Sequence, residues 1–258
     1  MTGRKTGCHI QIEQISGNVR NAPVQDQHAR QTELLIAAQP SAQAGTPESP
    51  ERQILAPWLD LLPADQRDLL SLLPVADVNG ALFAALGGLE RAMSAPALPD
   101  TARPGTIAGL LCVDPFLRVH DVLRLLNAAG ISEIANFPTI QVVDGTTARV
   151  FDSADLGVKR EFRILAQFAR AGLSITGFAT TLEAAERLLE IGASELVLHP
   201  GPASSDWRAR AVAARQAEEC LRTLRPRCSV PLRLFCPDAY GTELDAARAL
   251  ADGLVRYA

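Results

Sequence analysis

Three segments of this sequence place a chemically active side chain directly after an apolar run. The runs end in CVDPF, ANFPT and VLHPG, and the residues concerned are Asp114, Asn136 and His199. A carboxylate or an amide can orient a substrate or a divalent ion, and an imidazole can move a proton near neutral pH. We therefore consider Asp114, Asn136 and His199 the candidate catalytic residues.

Each of these residues also has a purely structural explanation, which the sequence leaves open. Asp114 could cap the helix that follows it, because Asp is a preferred N-cap residue. Asn136 could satisfy the N–H groups of a loop with its side chain. His199 could be a hydrogen-bonded core residue. Thr180, which precedes Thr181, could simply belong to a helix start.

The elements that would position these residues are apolar runs that alternate with helical patterns. Two weak strands come first, at Leu34–Gln39 and Ile54–Leu59, and a short one ends the sequence at Leu254–Ala258. Five stronger runs lie between them, each followed by a helical pattern: Thr106–Val113, Glu133–Ile140, Leu173–Thr180, Glu195–Gly201 and Pro231–Asp238. Apolar strands that alternate with helices are typical of a parallel sheet covered on both faces.

Eight such runs in 258 residues predict an α/β fold, a TIM (β/α)8 barrel with weak first two strands and a truncated last strand. A doubly wound open sheet is the alternative, although no GxGxxG follows a strand. We expect residues 1–33 to be a polar tail, with one short strand at Cys8–Ile12, and residues 34–258 to form the barrel domain. In a parallel barrel, function collects at the carboxyl ends of the strands. The three candidates would then meet at one mouth.

Composition limits the partners that this chain is expected to have. A net charge of -4 argues against a nucleic-acid surface, and no apolar run is long enough to span a membrane. Five cysteines without CxxC spacing indicate reduced thiols, so we expect a cytoplasmic protein. The predicted partner is a small-molecule substrate or ligand, in a homo-oligomer whose second subunit could cover the seam beside an incomplete last strand.

The segment from Ile107 to Gly201 resembles the phosphoenolpyruvate hydrolase-like family of TIM-barrel proteins. The resemblance is carried by AGLLCVDPF, ANFPTIQVVDG, LGVKRE and AGLSITGFATTLEAAERLLEIGASELVLHPG in this order, together with LLPVADVNGAL upstream. It implies a TIM barrel that hydrolyses or cleaves small phosphorylated or phosphono 2-oxo or enol acids at its carboxyl-terminal mouth. It also implies substrate-binding positions at Thr139, Glu161, Thr180, Gly201, Asp77 and Asn79. No metal ligand is assigned, and a divalent ion such as Mg²⁺ is compatible with the pattern.

The sequence departs from the family pattern where phosphate would be held. The first strand continues into IAAQPSAQAG instead of a Gly-rich loop, and the seventh ends in Phe235-Cys236-Pro237-Asp238 instead of a His-Gly-Gly-Pro-like loop. The last strand stops at Tyr257-Ala258. Barrel enzymes often bind phosphate through backbone N–H groups in these loops. The second hypothesis is therefore a catalytically degenerate barrel that binds a small molecule or acts as a protein-interaction module in signalling.

Overall fold

Eight parallel strands close into a barrel in the computed structural model, which describes residues 32–39, 52–73, 75–93, 105–202 and 204–258. Each strand pairs with its sequence neighbours, and β8 pairs with β1 to complete the circle. The strands are β1 Thr32–Ala37, β2 Arg52–Leu55, β3 Thr106–Gly109, β4 Glu133–Ala135, β5 Ser174–Ala179, β6 Glu195–Leu198, β7 Leu232–Phe235 and β8 Gly253–Tyr257. The predicted TIM barrel is confirmed. The predicted tail (apart from Thr32 and Glu33, which begin β1) and the predicted strand at Cys8–Ile12 lie outside the described residues.

Helices occupy the connections between the strands. They are α1 Arg67–Leu70, α2 Val78–Met93, α3 Val119–Ala128, α4 Gly145–Ser153, α5 Val158–Arg170, α6 Leu182–Ile191, α7 Trp207–Leu224 and α8 Asp245–Arg248. Capping residues occupy both ends of α6. The Thr181 hydroxyl accepts from the Ala184 N–H at 3.1 Å at the start of α6, and Gly192 ends that helix with φ +96. No helix among the described residues is long and apolar enough to cross a membrane.

Several predicted boundaries were wrong. The second strand is Arg52–Leu55 instead of Ile54–Leu59, because Pro57 begins a 3₁₀ helix over Pro57–Leu61. The fourth strand stops at Ala135, and Phe137-Pro138 is a cis peptide. Asp144-Gly145 follows this segment, and a turn is the expectation for an Asp-Gly pair, but Asp144 is the N-cap residue of α4 and Gly145 is its first residue. The last strand is complete, with five of its residues paired to β1 and three paired to β7, so the expected seam is closed.

Side chains on the strands alternate between the lumen and the helices, as the period of two requires. Ala135 and Phe137 pack in the lumen cluster with Phe178, whereas Ile134 packs in the outer cluster with Phe168 of α5. Asn136 lies between Ala135 and Phe137, so its side chain points away from the lumen, toward α5. This parity decides which of the predicted site residues can reach the mouth.

Charged side chains fill the lumen at the amino ends of the strands. Glu195 pairs with Arg233 and, at 2.8 Å, with Arg52, which also pairs with Glu133. The hydroxyl of Thr176 donates to Glu133 at 2.6 Å. We call Arg52, Glu133, Glu195 and Arg233 the basal charge cluster. Because two guanidinium groups face two carboxylates, the cluster is neutral overall and can be buried.

Gly253 provides the space that the basal charge cluster needs. A Cβ placed on it would lie 2.4 Å from the Arg233 guanidinium and 2.3 Å from the Thr32 carbonyl oxygen. That guanidinium donates to the same carbonyl at 2.7 Å. A side chain at position 253 would therefore displace the bond that ties β7 to β1 across β8.

Replacing Glu195 by Gln should lower the free energy of unfolding by about 3–5 kcal/mol, because a buried guanidinium then loses its partner. Chemical denaturation measures this change. The surface pair of Glu186 and Arg227, in which both side chains are about half exposed or more, is the matched control. Glu186→Gln should cost less than about 1 kcal/mol. Equal losses in the two variants would contradict a stabilising role for the basal charge cluster.

Candidate functional site

A buried carboxylate organises the carboxyl end of β4. Glu161 of α5 is fully buried and accepts hydrogen bonds from four donors. These are the side chains of Asn136 (2.9 Å), Thr139 (2.9 Å) and Gln141 (2.6 Å), and the N–H of Ile140 (3.1 Å). We call these five residues the Glu161 network. It fixes the loop after β4 to the first turn of α5.

The Glu161 network carries a negative charge without a cation. All four partners of Glu161 are neutral donors, which is the set that an ionised carboxylate requires. Burial raises the pKa of the Glu161 carboxyl, and the hydrogen bonds from Gln141, Asn136, Ile140 and Thr139 act in the opposite direction. Hydrogen bonds from neutral donors thus compensate for the burial of the Glu161 carboxylate.

Asn136 joins the Glu161 network to β5. Its side-chain oxygen accepts from the N–H of Phe178 at 2.7 Å, and its amide nitrogen donates to the carbonyl of Phe178 at 3.0 Å. The side chain therefore continues the β4–β5 ladder beyond the end of β4. Gln141 extends the contact, because its side-chain oxygen accepts from the N–H of Thr180 at 3.2 Å. Asn136 and Thr180 consequently lie at one junction.

A second network lies at the carboxyl end of β3. The amide of Asn79 donates to Asp114 at 2.8 Å and to the carbonyl of Leu111 at 3.0 Å. The other oxygen of Asp114 accepts from the N–H of Phe116 at 2.8 Å, and Arg160 of α5 donates to the Asp114 carbonyl at 2.9 Å. Asp114 thus holds its own loop through the N–H of Phe116. It does not cap the following helix as considered above, because the N-cap residue of α3 is Arg118.

His199 lies at the carboxyl end of β6, on the same side of its strand as Val197, which belongs to the lumen cluster. Its Nδ1 accepts from the N–H of Gly201 at 3.0 Å, and its ring lies 4.7 Å from that of Phe235. A nitrogen that accepts a hydrogen bond carries no proton, so in the neutral ring the proton is on Nε2. Gly201 has φ +95, a conformation that favours glycine.

Aromatic rings lie beside His199 and fill the upper lumen, the part at the carboxyl ends of the strands. The ring of Phe137 lies 4.9 Å from that of Phe178, 5.8 Å from Phe235 and 6.2 Å from Tyr257. Trp58, from the 3₁₀ helix after β2, lies 5.7 Å from Phe137. We call these five rings the mouth cluster. Aromatics form only 5% of the sequence, so their gathering here makes this end of the barrel apolar and closely packed.

The predicted site residues are thus divided among three places. Asn136, Thr139, Glu161 and Thr180 come together around α5, Asn79 and Asp114 pair at β3, and His199 lies with Gly201 at β6. Asp77 is exposed and caps α2, where it accepts from the N–H of Gly80 at 2.7 Å. The expected single ring of polar groups at one mouth was wrong, since Asn136 faces the helices and Asp114 binds its own loop.

Several residues that join or border these three sites were not predicted from the sequence. Gln141 and Arg160 were not singled out, because each is a polar residue in a loop or helix with no pattern to mark it. Trp58 lies in the segment predicted as the second strand, and Arg67 lies between that strand and the next, so neither was marked as a site residue. Only the ring of Trp58, in a protein with two tryptophans, gave a signal that could have been followed.

The donor atoms do not favour a metal site here. Among the described residues, no group of three or more His, Cys, Asp or Glu side chains could hold a metal ion. Both oxygens of Asp114 and both oxygens of Glu161 already accept hydrogen bonds. A divalent ion would have to displace these donors, so the reaction proposed below does not use one.

Comparison with known proteins gives one match over most of the chain. The model of a family described as phosphoenolpyruvate hydrolase-like matches residues 67–227, more than half of the sequence. The ToMV resistance protein Tm-1(GCR237) and the ToMV susceptible protein tm-1(GCR26), both of Solanum lycopersicum, are 31% identical over 142 residues, which are 55% of this chain and 18% of each tomato protein. The uncharacterized protein y4oT of Sinorhizobium fredii is 28% identical over 130 residues, 50% of this chain and 61% of that protein. The chain therefore spans less than two thirds of each of these relatives.

Solved structures resemble the barrel at low sequence identity. FabK from Thermotoga maritima is 12% identical with a TM-score of 0.44, over 88% of this chain and 57% of FabK. The YdjI aldolase from Escherichia coli K12 is 11% identical with a TM-score of 0.43, over 87% of this chain and 74% of the aldolase. Likeness of this degree does not bear on function.

Replacing Glu161 by Gln should lower the free energy of unfolding by about 2–3 kcal/mol, because an amide NH₂ must then face other donors. The raised pKa adds a pH dependence. The wild-type chain loses stability as the pH rises from the unfolded value through the raised folded value, and the variant does not. The difference between the two should therefore shrink with rising pH in denaturation experiments. A difference that grows with pH would contradict a raised pKa, and Glu183→Gln, at an exposed position of α6, should show neither effect.

Proposed function

We propose that this chain, which belongs to the phosphoenolpyruvate hydrolase-like family, binds a small phosphorylated or phosphono 2-oxo or enol acid at the carboxyl end of its barrel and hydrolyses the bond to phosphorus. The observation that carries the proposal is the setting of His199. This imidazole lies on the lumen side at the end of β6, against the ring of Phe235, with its Nδ1 occupied by the N–H of Gly201. Family membership supplies the substrate class, and His199 supplies a group that can serve it.

His199 is suited to donate a hydrogen bond at a defined atom. The hydrogen bond from Gly201 selects the neutral tautomer with the proton on Nε2, as second-layer hydrogen bonds to histidine commonly do. The residue is 3% exposed, so water competes little for its Nε2–H. A donor of this kind must lie within hydrogen-bonding reach of the atom on which negative charge develops.

The chemistry of the substrate class calls for such a donor. When water attacks the phosphorus of a phosphoenol or phosphono three-carbon acid, the P–O or P–C bond breaks and its electron pair passes to the enolate of the keto acid. The Nε2–H of His199 would donate a hydrogen bond to the enolate oxygen, and the enolate carbon takes up the proton that the attacking water releases. The products are the keto acid and inorganic phosphate, and one histidine serves both substrates.

The other predicted residues act in this proposal by position. The Glu161 network and the Asn79–Asp114 pair fix the loops after β3 and β4 and leave no oxygen of Glu161 or Asp114 without a hydrogen bond. Fixed loops keep the reacting groups aligned, and small misplacements are costly in rate. We therefore propose Asp114 and Asn136 as positioning residues and His199 as the catalytic one.

The packing of the mouth cluster favours a second candidate function. Five rings occupy the upper lumen, and Asp114 and Glu161 are bound by donors in their own loops. A barrel filled in this way could bind a small acid and leave it unchanged, since fold does not imply activity. Binding and turnover therefore have to be measured separately.

Replacing His199 by Leu should lower kcat for phosphate release from phosphoenolpyruvate or phosphonopyruvate by about 10²–10³-fold, the usual cost of losing one hydrogen bond to a developing oxyanion. Phosphate release can be followed by ³¹P NMR. His120→Leu is the matched control, because the His120 side chain is 91% exposed on α3 and should leave kcat unchanged. Full turnover by the His199 variant would refute the catalytic role.

Thermal denaturation distinguishes the two candidates. A ligand at 100 times its Kd stabilises the native state by about 2.7 kcal/mol, or roughly 5–10 °C in Tm for a domain of this size. Phosphoenolpyruvate, phosphonopyruvate, pyruvate, oxaloacetate and free phosphate should be compared, each with and without Mg²⁺. A shift with phosphate release supports hydrolysis, a shift without release supports the second candidate, and no shift with any acid would contradict both.

A further inference from the structure

A buried indole N–H lies at the carboxyl end of the barrel without an acceptor. Trp58 is 0% exposed, and its Nε1 finds no hydrogen-bond partner within the described part of the chain. Buried donors in native proteins are nearly always paired, and an unpaired one calls for an explanation such as a bound ligand. Packing explains the burial of the ring, which touches the Phe137 ring, but it does not explain the donor.

A guanidinium with an unused donor follows nine residues later. Arg67 of α1 lies over the ring of Tyr257, with its Cζ 5.6 Å from the ring centre. Its Nε is buried and has no acceptor, and no carboxylate among the described residues forms an ion pair with it. Arginine donors form a rigid fork that matches a carboxylate. A cation that is held on an aromatic face and has no ion pair among the described side chains can receive an anion.

Both donors border the same part of the mouth cluster. Trp58 contacts Phe137, Arg67 contacts Tyr257, and the Phe137 and Tyr257 rings lie 6.2 Å apart. Trp58 and Arg67 both lie on the connection after β2, and Tyr257 ends β8, so the two donors lie at the carboxyl end of the barrel, where barrel ligands bind. Phe235 then links Tyr257 to His199, at 5.4 Å and 4.7 Å.

We propose that the indole N–H of Trp58 and the guanidinium of Arg67 bind the carboxylate of the substrate acid. The inference rests on the proposed function for the identity of the acid and adds the residues that select it. The carboxylate is held on the β2 and β8 side, so the bond to phosphorus lies toward His199. Neither residue was among the predicted site positions.

The number and kind of donors favour a carboxylate over a phosphoryl group at this place. Two unpaired donors, Nε of Arg67 and Nε1 of Trp58, match the two oxygens of a carboxylate. A phosphoryl group has three oxygens and is commonly held by backbone N–H groups of glycine-rich loops. The loop after β7 begins Cys236-Pro237, and Pro237 has no N–H to give.

The chain offers a direct probe, because it has two tryptophans. In ¹⁵N-indole-labelled protein, the Trp58 cross-peak should move as pyruvate, phosphoenolpyruvate or phosphonopyruvate is added, and inorganic phosphate should leave it in place. Trp207 is 59% exposed on α7 and is the internal control. Trp58→Phe assigns the peaks. Movement with phosphate alone would contradict the carboxylate assignment.

Conservative variants test the same contacts by kinetics. Trp58→Phe keeps the ring and removes one donor, and Arg67→Lys keeps the charge and removes the fork, so each should raise KM by about 10-fold or more with a smaller effect on kcat. The matched controls are Trp207→Phe and Arg208→Lys, since the Arg208 Cζ lies 5.2 Å from the centre of the Trp207 ring and that ring is 59% exposed. Unchanged Tm and circular dichroism establish that the variants fold.

The outcomes separate this inference from the proposed function. If the acids are turned over while the Trp58 peak and both KM values stay unchanged, the carboxylate site is wrong and the function stands. If no phosphorylated acid binds, the proposed function fails. The carboxylate site is then tested separately by adding pyruvate at high concentration and following the Trp58 peak. Movement of the Trp58 peak with pyruvate then supports a carboxylate site alone, and no movement overturns it.

Discussion

The buried charge of Glu161 is the constraint on which the carboxyl end of this barrel depends. A carboxylate taken out of water must be compensated, and here four neutral donors from the loop after β4 provide the compensation. The hydrogen bonds to Glu161 thus order this loop together with the packing of its apolar residues Ile140 and Val142. Asn136 connects this loop to β5, because its side-chain oxygen accepts a hydrogen bond from the N–H of Phe178. The positions of Phe137 and Phe178 in the lumen follow from this arrangement.

The two ends of the lumen solve the problem of filling a barrel in opposite ways. The amino end is filled by the basal charge cluster, in which Glu195 and Arg233 are almost completely buried. The carboxyl end is filled by the mouth cluster. Buried charges that depend on partners from several other strands tolerate little change, and this end of a barrel typically serves stability. An apolar end with few polar groups can admit a ligand, because the ligand then meets little competition from the protein's own hydrogen bonds.

Much of the fold could be predicted from the sequence, because strand and helix patterns alternate regularly from Thr106 onward and caps such as Thr181 mark the helix starts. The direction of Asn136 was also within reach. Ala135 and Phe137 are apolar neighbours facing the lumen, so a period of two sends Asn136 outward. The basal charge cluster was not within reach, since the meeting of Arg52, Glu133 and Glu195 depends on the register of strands that are distant in sequence. Trp58 escaped for a similar reason, because its ring finds Phe137 only after the barrel closes.

The short connection between β2 and α2 has an evolutionary consequence. Trp58 and Arg67 both lie on it, whereas the rings of Phe137, Phe178, Phe235 and Tyr257 lie on or directly after the strands of the barrel. Substitutions or insertions in this connection change what the mouth presents without altering strand register. The barrel can therefore act as a fixed frame, and relatives that share it can diverge in specificity through one exchangeable segment of fewer than twenty-five residues.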